Sequence, residues 1–291
     1  MKNHTNYSKI IAGTMTWGSW GKQMSQKQMM DLLEYCLNLG ITTFDHADIY
    51  GEYTNEADFG AAFAASQIPR EKIQLITKCG IQFDAKNRKN AVKHYDYGKD
   101  YIIWSAEQSL KKLHTDYLDL FLLHRPSPLM QPQEIAEAIT KLQEEGKIKA
   151  FGVSNFTPSQ IAWIETAIPV TANQVEFSLT ANEVMTDGTL DDIGVGNRFG
   201  MSWSPLGTFF KEENTQNNRI KTVLNALQKK YGATHDQLLL AWILKHPTKM
   251  YPVVGTATPE RLTATINALD ISLSLQDWFI LLEASKGYEV A

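Results

Sequence analysis

Cysteine is scarce in this chain: Cys36 and Cys79 are the only two among 291 residues. Two thiols make no disulfide framework, so the fold rests on its core, and the pattern suits a reducing compartment. A large charge of one sign is lacking as well. Lys and Arg total 28 against 32 Asp and Glu, a net charge of −4 with a pI near 6.0, which leaves no basic field to hold nucleic acid. No apolar run approaches the roughly 20 residues of a membrane span. The opening MKNHTNYSK is polar and holds no apolar signal core. A cytoplasmic protein without membrane or nucleic-acid partners is therefore expected. Low-complexity tracts and shifts in composition are also missing, so residues 1–291 are read as one domain.

What the chain does have is alternation. Short apolar runs at 9–12, 42–45, 73–78, 118–124, 150–154, 172–176, 200–204 and 251–254 predict strands. Between them, 26–39, 99–113, 132–145, 158–166, 217–231 and 235–245 carry helical periodicity; the first puts Met29, Leu32, Leu33, Cys36 and Leu37 on one face. The last two read as one helix broken at Gly232. Residues 186–197, rich in Asp and Gly, predict only a short helix. Strands alternating with helices make a parallel α/β sheet, and eight in sequence favour a single (β/α)8 TIM barrel over an open sheet. The polar stretches 83–98 and 207–218 read as long loops after the third and seventh strands. Both then lie on the C-terminal face, where barrel enzymes build specificity.

The same face gathers chemistry. Asp45 ends the second strand, Lys78 the third and His124 the fourth, and Tyr50 lies five residues beyond Asp45. Each has a bland reading alone: a turn-forming Asp, a Lys that reaches water, a structural His, a packed Tyr. Titratable residues at three successive strand ends on one rim make coincidence a poor account. The set suggests a proton donor to a carbonyl oxygen. A free tyrosine titrates near 10 and an adjacent ammonium favours its phenolate, so Lys78, held by Asp45, would tune Tyr50, while His124 orients the substrate oxygen. Proton donation to that oxygen pairs with hydride delivery to its carbon, which needs a cofactor. A metal-dependent hydrolase using Asp45, His46, Asp48 and His124 competes with this reading, but adjacent strand residues face opposite sides, which separates Asp45 from His46.

The segments FDHADIYG, ITKCG, LLHRP, GVSNF, NQVEFS, SWSPLG and VVGTATPERL resemble, in order and spacing, the successive signatures of the aldo-keto reductases. The likeness runs from about Ile10 to the C-terminus. FDHADIYG and the ending LSLQDWFILLEASKGYEVA look closest to the bacterial branch often called oxidoreductases of unassigned substrate. The resemblance implies the tetrad Asp45, Tyr50, Lys78 and His124, with Tyr50 as general acid. It implies NADP(H), no metal, small aldehydes or ketones as substrates, and a monomer. A barrel that binds NADP for regulation or redox sensing with little turnover is the alternative within the family.

By the same resemblance, Thr14 and Met15 lie beside the cofactor, and Ser154, Asn155 and Gln174 bind its carboxamide. Trp203, where the family often has tyrosine, would stack under the nicotinamide. Ser204, Leu206 and Gly207 would meet the pyrophosphate and ribose, and Gly255 and Thr256 lead to the adenosine end. There Thr258 and Pro259 read as a helix start, an anion site by itself, and Arg261 supplies a fork for a 2′-phosphate. Two departures stand out: many relatives carry lysine where Gly255 stands and asparagine where Thr265 stands. Met15, Trp17, Trp20, Phe83 and Trp203, with Phe209 as a further candidate, would wall the substrate pocket. Few residues precede the first strand, leaving little room for a hairpin across the barrel bottom. The tail ends soon after a helix at 276–285, so a broad, open pocket is expected.

Overall fold

The computed structural model describes residues 7–290, in which eight short apolar runs pair side by side and in parallel. They are β1 (Ile11–Gly13), β2 (Thr43–Asp45), β3 (Gln74–Cys79), β4 (Leu120–Leu123), β5 (Phe151–Ser154), β6 (Ala172–Glu176), β7 (Phe199–Trp203) and β8 (Tyr251–Val254). They follow one another in chain order, and β8 closes on β1 through Ile11 opposite Val253, a closed parallel barrel. Around it run α1 (Gln26–Asn38), α2 (Asn55–Ser66), α3 (Lys99–Lys112), α4 (Pro132–Glu144), α5 (Pro158–Ile164), α6 (Thr189–Val195), α7 (Thr215–Tyr231), α8 (His235–Leu244), α9 (Pro259–Asn267) and α10 (Leu275–Lys286). This is the (β/α)8 architecture that the alternation predicts.

Alternate strand residues face opposite sides, and that period sorts the interior from the helix layer. Ile11, Ile76, Leu120, Leu122, Ala172, Met201 and Val253 pack together inside the barrel. At the N-terminal end Tyr7 stacks on Phe199 at 4.2 Å, and Phe199 meets Tyr251 edge-on at 4.7 Å. The expected lack of a hairpin before β1 falls on residues 1–6, outside the described ones. The outward residues meet the helices. Helix α1 starts at Ser25, whose side chain caps Gln28 while Gln28 bonds back to it, and it buries Met29, Leu32, Leu33 and Cys36. Each of the Met and Leu side chains removed from water is worth about 1.5–3 kcal/mol.

Helix α7 ends at Gly232, in the left-handed conformation that glycine tolerates, and Thr234 caps α8 two residues later, so the break at Gly232 is present. Helices α7 and α10 lie outside the strand–helix alternation and pack on each other. Arg219 of α7 donates to Ala284 O at 2.8 Å, and Lys230 pairs with Asp277 of α10 at 2.7 Å. Helix α2 is an element that periodicity did not single out. Its stretch is alanine-rich, with little contrast between faces, and Thr54 makes no side-chain cap. It fits because Gly60 passes the end of α3 so closely that a Cβ there would lie 1.9 Å from Lys112 O.

Candidate active site

The C-terminal rim carries polar residues on the same inward-facing rows that hold the apolar interior below. Lys78 stands two residues beyond Ile76, His124 beyond Leu122, Gln174 beyond Ala172 and Trp203 beyond Met201. Their outward neighbours lie elsewhere. His46 packs its ring on Phe59 at 4.3 Å and places Nδ1 2.8 Å from Thr14 Oγ1. Burial, and then the Lys78 charge, pull the His46 imidazole down to about 3. Asp45, His46, Asp48 and His124 are thus not gathered around one point, and no group of three His, Cys, Asp or Glu among the described residues could hold a metal ion.

Asp45, Lys78 and Tyr50 are gathered. The fully buried Lys78 Nζ donates to Asp45 Oδ1 and Oδ2 at 2.7 and 2.8 Å, to His46 O at 2.8 Å and to Tyr50 Oη at 3.3 Å. Gln174 Nε2 adds a bond to Asp45 Oδ1 at 3.0 Å. The Tyr50 and His124 rings meet edge-on, 6.1 Å between centroids. Burial pulls the Lys78 ammonium down, but Asp45 and Tyr50 push harder and the net displacement is upward, so it stays charged at neutral pH. Burial holds the Tyr50 phenol above its ordinary value, and Lys78 only partly offsets this. That departs from the simple expectation of a lysine-lowered phenol: desolvation of the phenolate outweighs the ammonium. Burial, then Lys78, Arg125 and Lys93, keep the His124 imidazole neutral, and its buried Nδ1 has no partner among the described residues.

Tyr50 enters from a distorted turn. Gly51, Glu52 and Tyr53 take positive φ values of 59°, 55° and 69° in succession. Such a run is costly for residues other than glycine and persists only where neighbours fix it. Sequence reading gave no sign of it beyond Gly51.

Farther round the rim, Ser154 Oγ donates to Gln174 O at 2.9 Å, and Asn155, at φ 63°, donates from Nδ2 to Ser154 Oγ at 2.7 Å. Trp203 Nε1 donates to Asn155 Oδ1 at 2.8 Å. Ser204 and Gly207 bend the chain after β7 through positive φ, joined by a 2.7 Å bond from Gly207 N to Ser204 O. After β8, nothing lies within 4 Å of the place a Gly255 Cβ would take, so this part of the rim is open space beside the start of α9. A separate cavity of about 450 Å³ opens at the barrel's other end, near Lys9, Lys245 and Tyr251, away from these groups.

The family model of the aldo/keto reductase family matches residues 9–286. The chain belongs to the aldo/keto reductase family. It is 41% identical over 290 residues to the uncharacterized oxidoreductase YcsN of Bacillus subtilis, covering 98% of this chain and 96% of that protein. It is 37% identical over 290 residues to a 6-dehydroglucose reductase of Agrobacterium fabrum, covering 97% of each. Among solved structures, a thermostable aldo-keto reductase in complex with the inhibitor epalrestat matches with a TM-score of 0.81 at 25% identity, covering 97% of each chain. The family's members are oxidoreductases that use nicotinamide cofactors and act on small molecules. No helix among the described residues is long and apolar enough to cross a membrane.

In this aldo-keto reductase the groups available to a nicotinamide cofactor at the rim are the amide, hydroxyl and indole groups from Ser154 to Trp203, and a Cβ at Gly255 would meet open space. Some expected contacts are already engaged. The buried Thr14 hydroxyl donates to Asp45 O at 3.0 Å, and Met15 beyond it is 42% exposed. Leu206 is half-buried against the core, and Thr256 Oγ1 accepts from Thr258 N at 3.2 Å. Thr265, where relatives carry asparagine, gives its hydroxyl to Arg261 O at 2.8 Å within α9. The Arg261 side chain is exposed and makes no bond among the described residues.

The pocket wall is partly corrected. Trp20 lies 6.2 Å from both the Tyr50 and the Phe83 rings, 42% exposed, so these three share one mouth. Trp17 does not join them. It is 1% exposed and packs on Phe44 and Phe59 in the helix layer, at 6.1 and 6.0 Å, because the chain turns outward after β1. Phe209 lies against Phe210 and His235, at 4.9 and 5.8 Å, beside the α7–α8 core.

Asp48, two residues before Tyr50, is a buried carboxyl that sequence reading left to the hydrolase alternative. Burial first, and then Glu56, push it up to about 7, against Arg88, Lys112 and Tyr101. Its folded value lies above the roughly 3.9 of a free carboxyl. The folded state therefore holds the proton more tightly, and stability is lost as pH rises from about 4 to about 7. Asp48→Asn should show a melting temperature that gains on the parent across that interval and stops gaining above it. Parallel melting curves at all pH values would mean that this carboxyl does not titrate there.

Proposed function

We propose that this chain is an NADPH-dependent reductase that converts the carbonyl group of small aldehydes or ketones to an alcohol, with Tyr50 as general acid. The observation that carries this reading is the Tyr50 phenol lying 3.3 Å from a Lys78 ammonium that Asp45 grips with both oxygens. When bound, the reduced nicotinamide supplies hydride to the carbonyl carbon. The chain supplies the proton. A phenol kept neutral by burial is ready to donate at neutral pH, and a fixed ammonium beside it favours the phenolate only as the proton leaves. The neutral His124 imidazole has one N–H to offer the same oxygen, which fixes the carbonyl's direction. Trp20 and Phe83 offer apolar walls, as small-molecule sites require.

Ser154, Asn155 and Gln174 are the proposed carboxamide ligands, and Trp203 the surface under the ring. Bonds among Ser154, Asn155 and Trp203, and the bond from Gln174 Nε2 to Asp45, hold these groups before a cofactor arrives, so little ordering is left to pay for. Arg261, solvent-facing and without a side-chain partner among the described residues, is the proposed 2′-phosphate ligand; its fork suits a phosphate dianion. The test is a carbonyl screen followed by NADPH absorbance, with dehydrosugars included because of the relative named for one. Turnover by the parent is expected. Arg261→Ala should weaken NADPH by about tenfold, the 1.5 kcal/mol or so of one charge-assisted contact, and leave NADH nearly unchanged. Equal losses for both cofactors would remove the 2′-phosphate contact. Tight NADPH binding with no carbonyl turned over would favour the regulatory alternative.

A further inference from the structure

The left-handed run behind Tyr50 needs something to hold it, and one side chain from a distant loop touches its last residue and, through Tyr101, a residue just before Tyr50. Arg88 lies in the segment between β3 and α3, 38 residues from Tyr50, and makes no ion pair among the described residues. Its Nη1 donates to Gln82 Oε1 at 3.1 Å and to Tyr101 Oη at 3.2 Å. Tyr101 in turn donates to Asp48 Oδ2 at 3.2 Å, on the N-terminal side of Tyr50. The same guanidinium lies over the Tyr53 ring at 4.0 Å, on the C-terminal side. Tyr53 is fastened further: its ring stacks on Phe83 at 5.0 Å, its Oη accepts from Phe83 N at 3.2 Å and its carbonyl accepts from Lys112 Nζ at 3.1 Å. Asp48 N is hooked to Lys78 O at 3.0 Å.

We propose that Arg88 is a positioning residue for Tyr50, clamping residues 48 and 53 through Tyr101 and the Tyr53 ring so that the phenol stays in line with Lys78 and the substrate oxygen. The proposal rests on Tyr50 being the acid. The chemistry explains why arginine serves here. One planar cation can donate in its own plane to Tyr101 while its face covers an aromatic ring, which a lysine cannot do at once. The carbonyl oxygen must sit within hydrogen-bond reach of the phenol, and a misplacement of about 1 Å can cost ~10²-fold in rate. Arg88 itself touches neither the tetrad nor the open rim, so its loss should act on kcat and spare the cofactor.

The experiment compares Arg88→Met, Arg88→Lys, Tyr101→Phe and the Arg88→Met/Tyr101→Phe double variant with the parent. Methionine keeps apolar bulk over Tyr53 and removes the donors. We expect kcat to fall about 10- to 100-fold in Arg88→Met. Fluorescence titration should give an NADPH Kd within about twofold, and the melting temperature should stay within about 3 °C. Tyr101→Phe should lose part of the same factor, Arg88→Lys should recover part of it, and the double variant should be little worse than Arg88→Met, because both act through one chain of contacts. An unchanged kcat in Arg88→Met, losses that multiply in the double variant, or a Kd that rises in step with the fall in kcat would overturn the clamp. Tyr50→Phe, measured alongside, separates the two ideas: if it stays fully active the acid assignment itself is wrong, and if it is dead while Arg88→Met is normal, only the clamp is.

Discussion

Tyr50→Phe should leave a folded barrel that binds NADPH as the parent does and reduces carbonyls about 10²- to 10⁴-fold more slowly, the contribution a positioned general acid makes. The substitution removes one oxygen. That oxygen's bond in this site is the 3.3 Å contact from Lys78 Nζ. The ring contacts that seat the side chain, to Trp20 at 6.2 Å and His124 at 6.1 Å, need no hydroxyl and remain. Lys78 keeps three stronger bonds, two to Asp45 and one to His46 O, so it is not released into the pocket. The expected signature is therefore a collapsed kcat with an unchanged NADPH titration and melting temperature. A variant that turned over at the parent's rate would show that another group donates the proton. His124, neutral and facing the same mouth, would then be the first to examine.

Much of this architecture could be read from residue order, because a period of two is a strict rule. Once Ile76, Leu122, Ala172 and Met201 are assigned to the interior, Lys78, His124, Gln174 and Trp203 must follow them inward at the rim, and His46 and Cys79 must turn away. The short helix α6 and the break at Gly232 were equally legible from composition and a left-handed cap. What could not be read depends on contacts made at long range. Helix α2 is stabilised by Gly60 nestling against α3, which no local pattern announces. Trp17 and Trp20 stand three residues apart in one loop, and nothing in their identity says that one faces the helices and the other the mouth. The upward displacement of Tyr50 is not legible in residue order because burial, unlike the neighbouring lysine, is a property of the assembled rim. Arg88 carried no motif, and its partners lie in three segments that meet only after the barrel closes.

Lys78→Met should lose both activity and stability, and the two losses can be pulled apart. Methionine nearly conserves the volume of the aliphatic stem but strands Asp45, which is buried and left with Gln174 Nε2 as its side-chain partner, at 3.0 Å. Breaking a buried ion pair from one side costs about 3–5 kcal/mol, because the remaining charge has no counterpart. The stability deficit should show as a melting temperature well below the parent's at pH 7. Adding Asp45→Asn removes the stranded charge and should restore most of the melting temperature at pH 7. It should restore no turnover, since the ammonium that favours the phenolate is still gone, and kcat should remain at least about 10²-fold down. If the single variant kept the parent's rate and pH profile, the ammonium would have no part in proton transfer. If instead the double variant recovered activity together with stability, Lys78 would be a structural partner of Asp45 and nothing more, and the case for Tyr50 as an acid tuned by its neighbour would lose its physical basis.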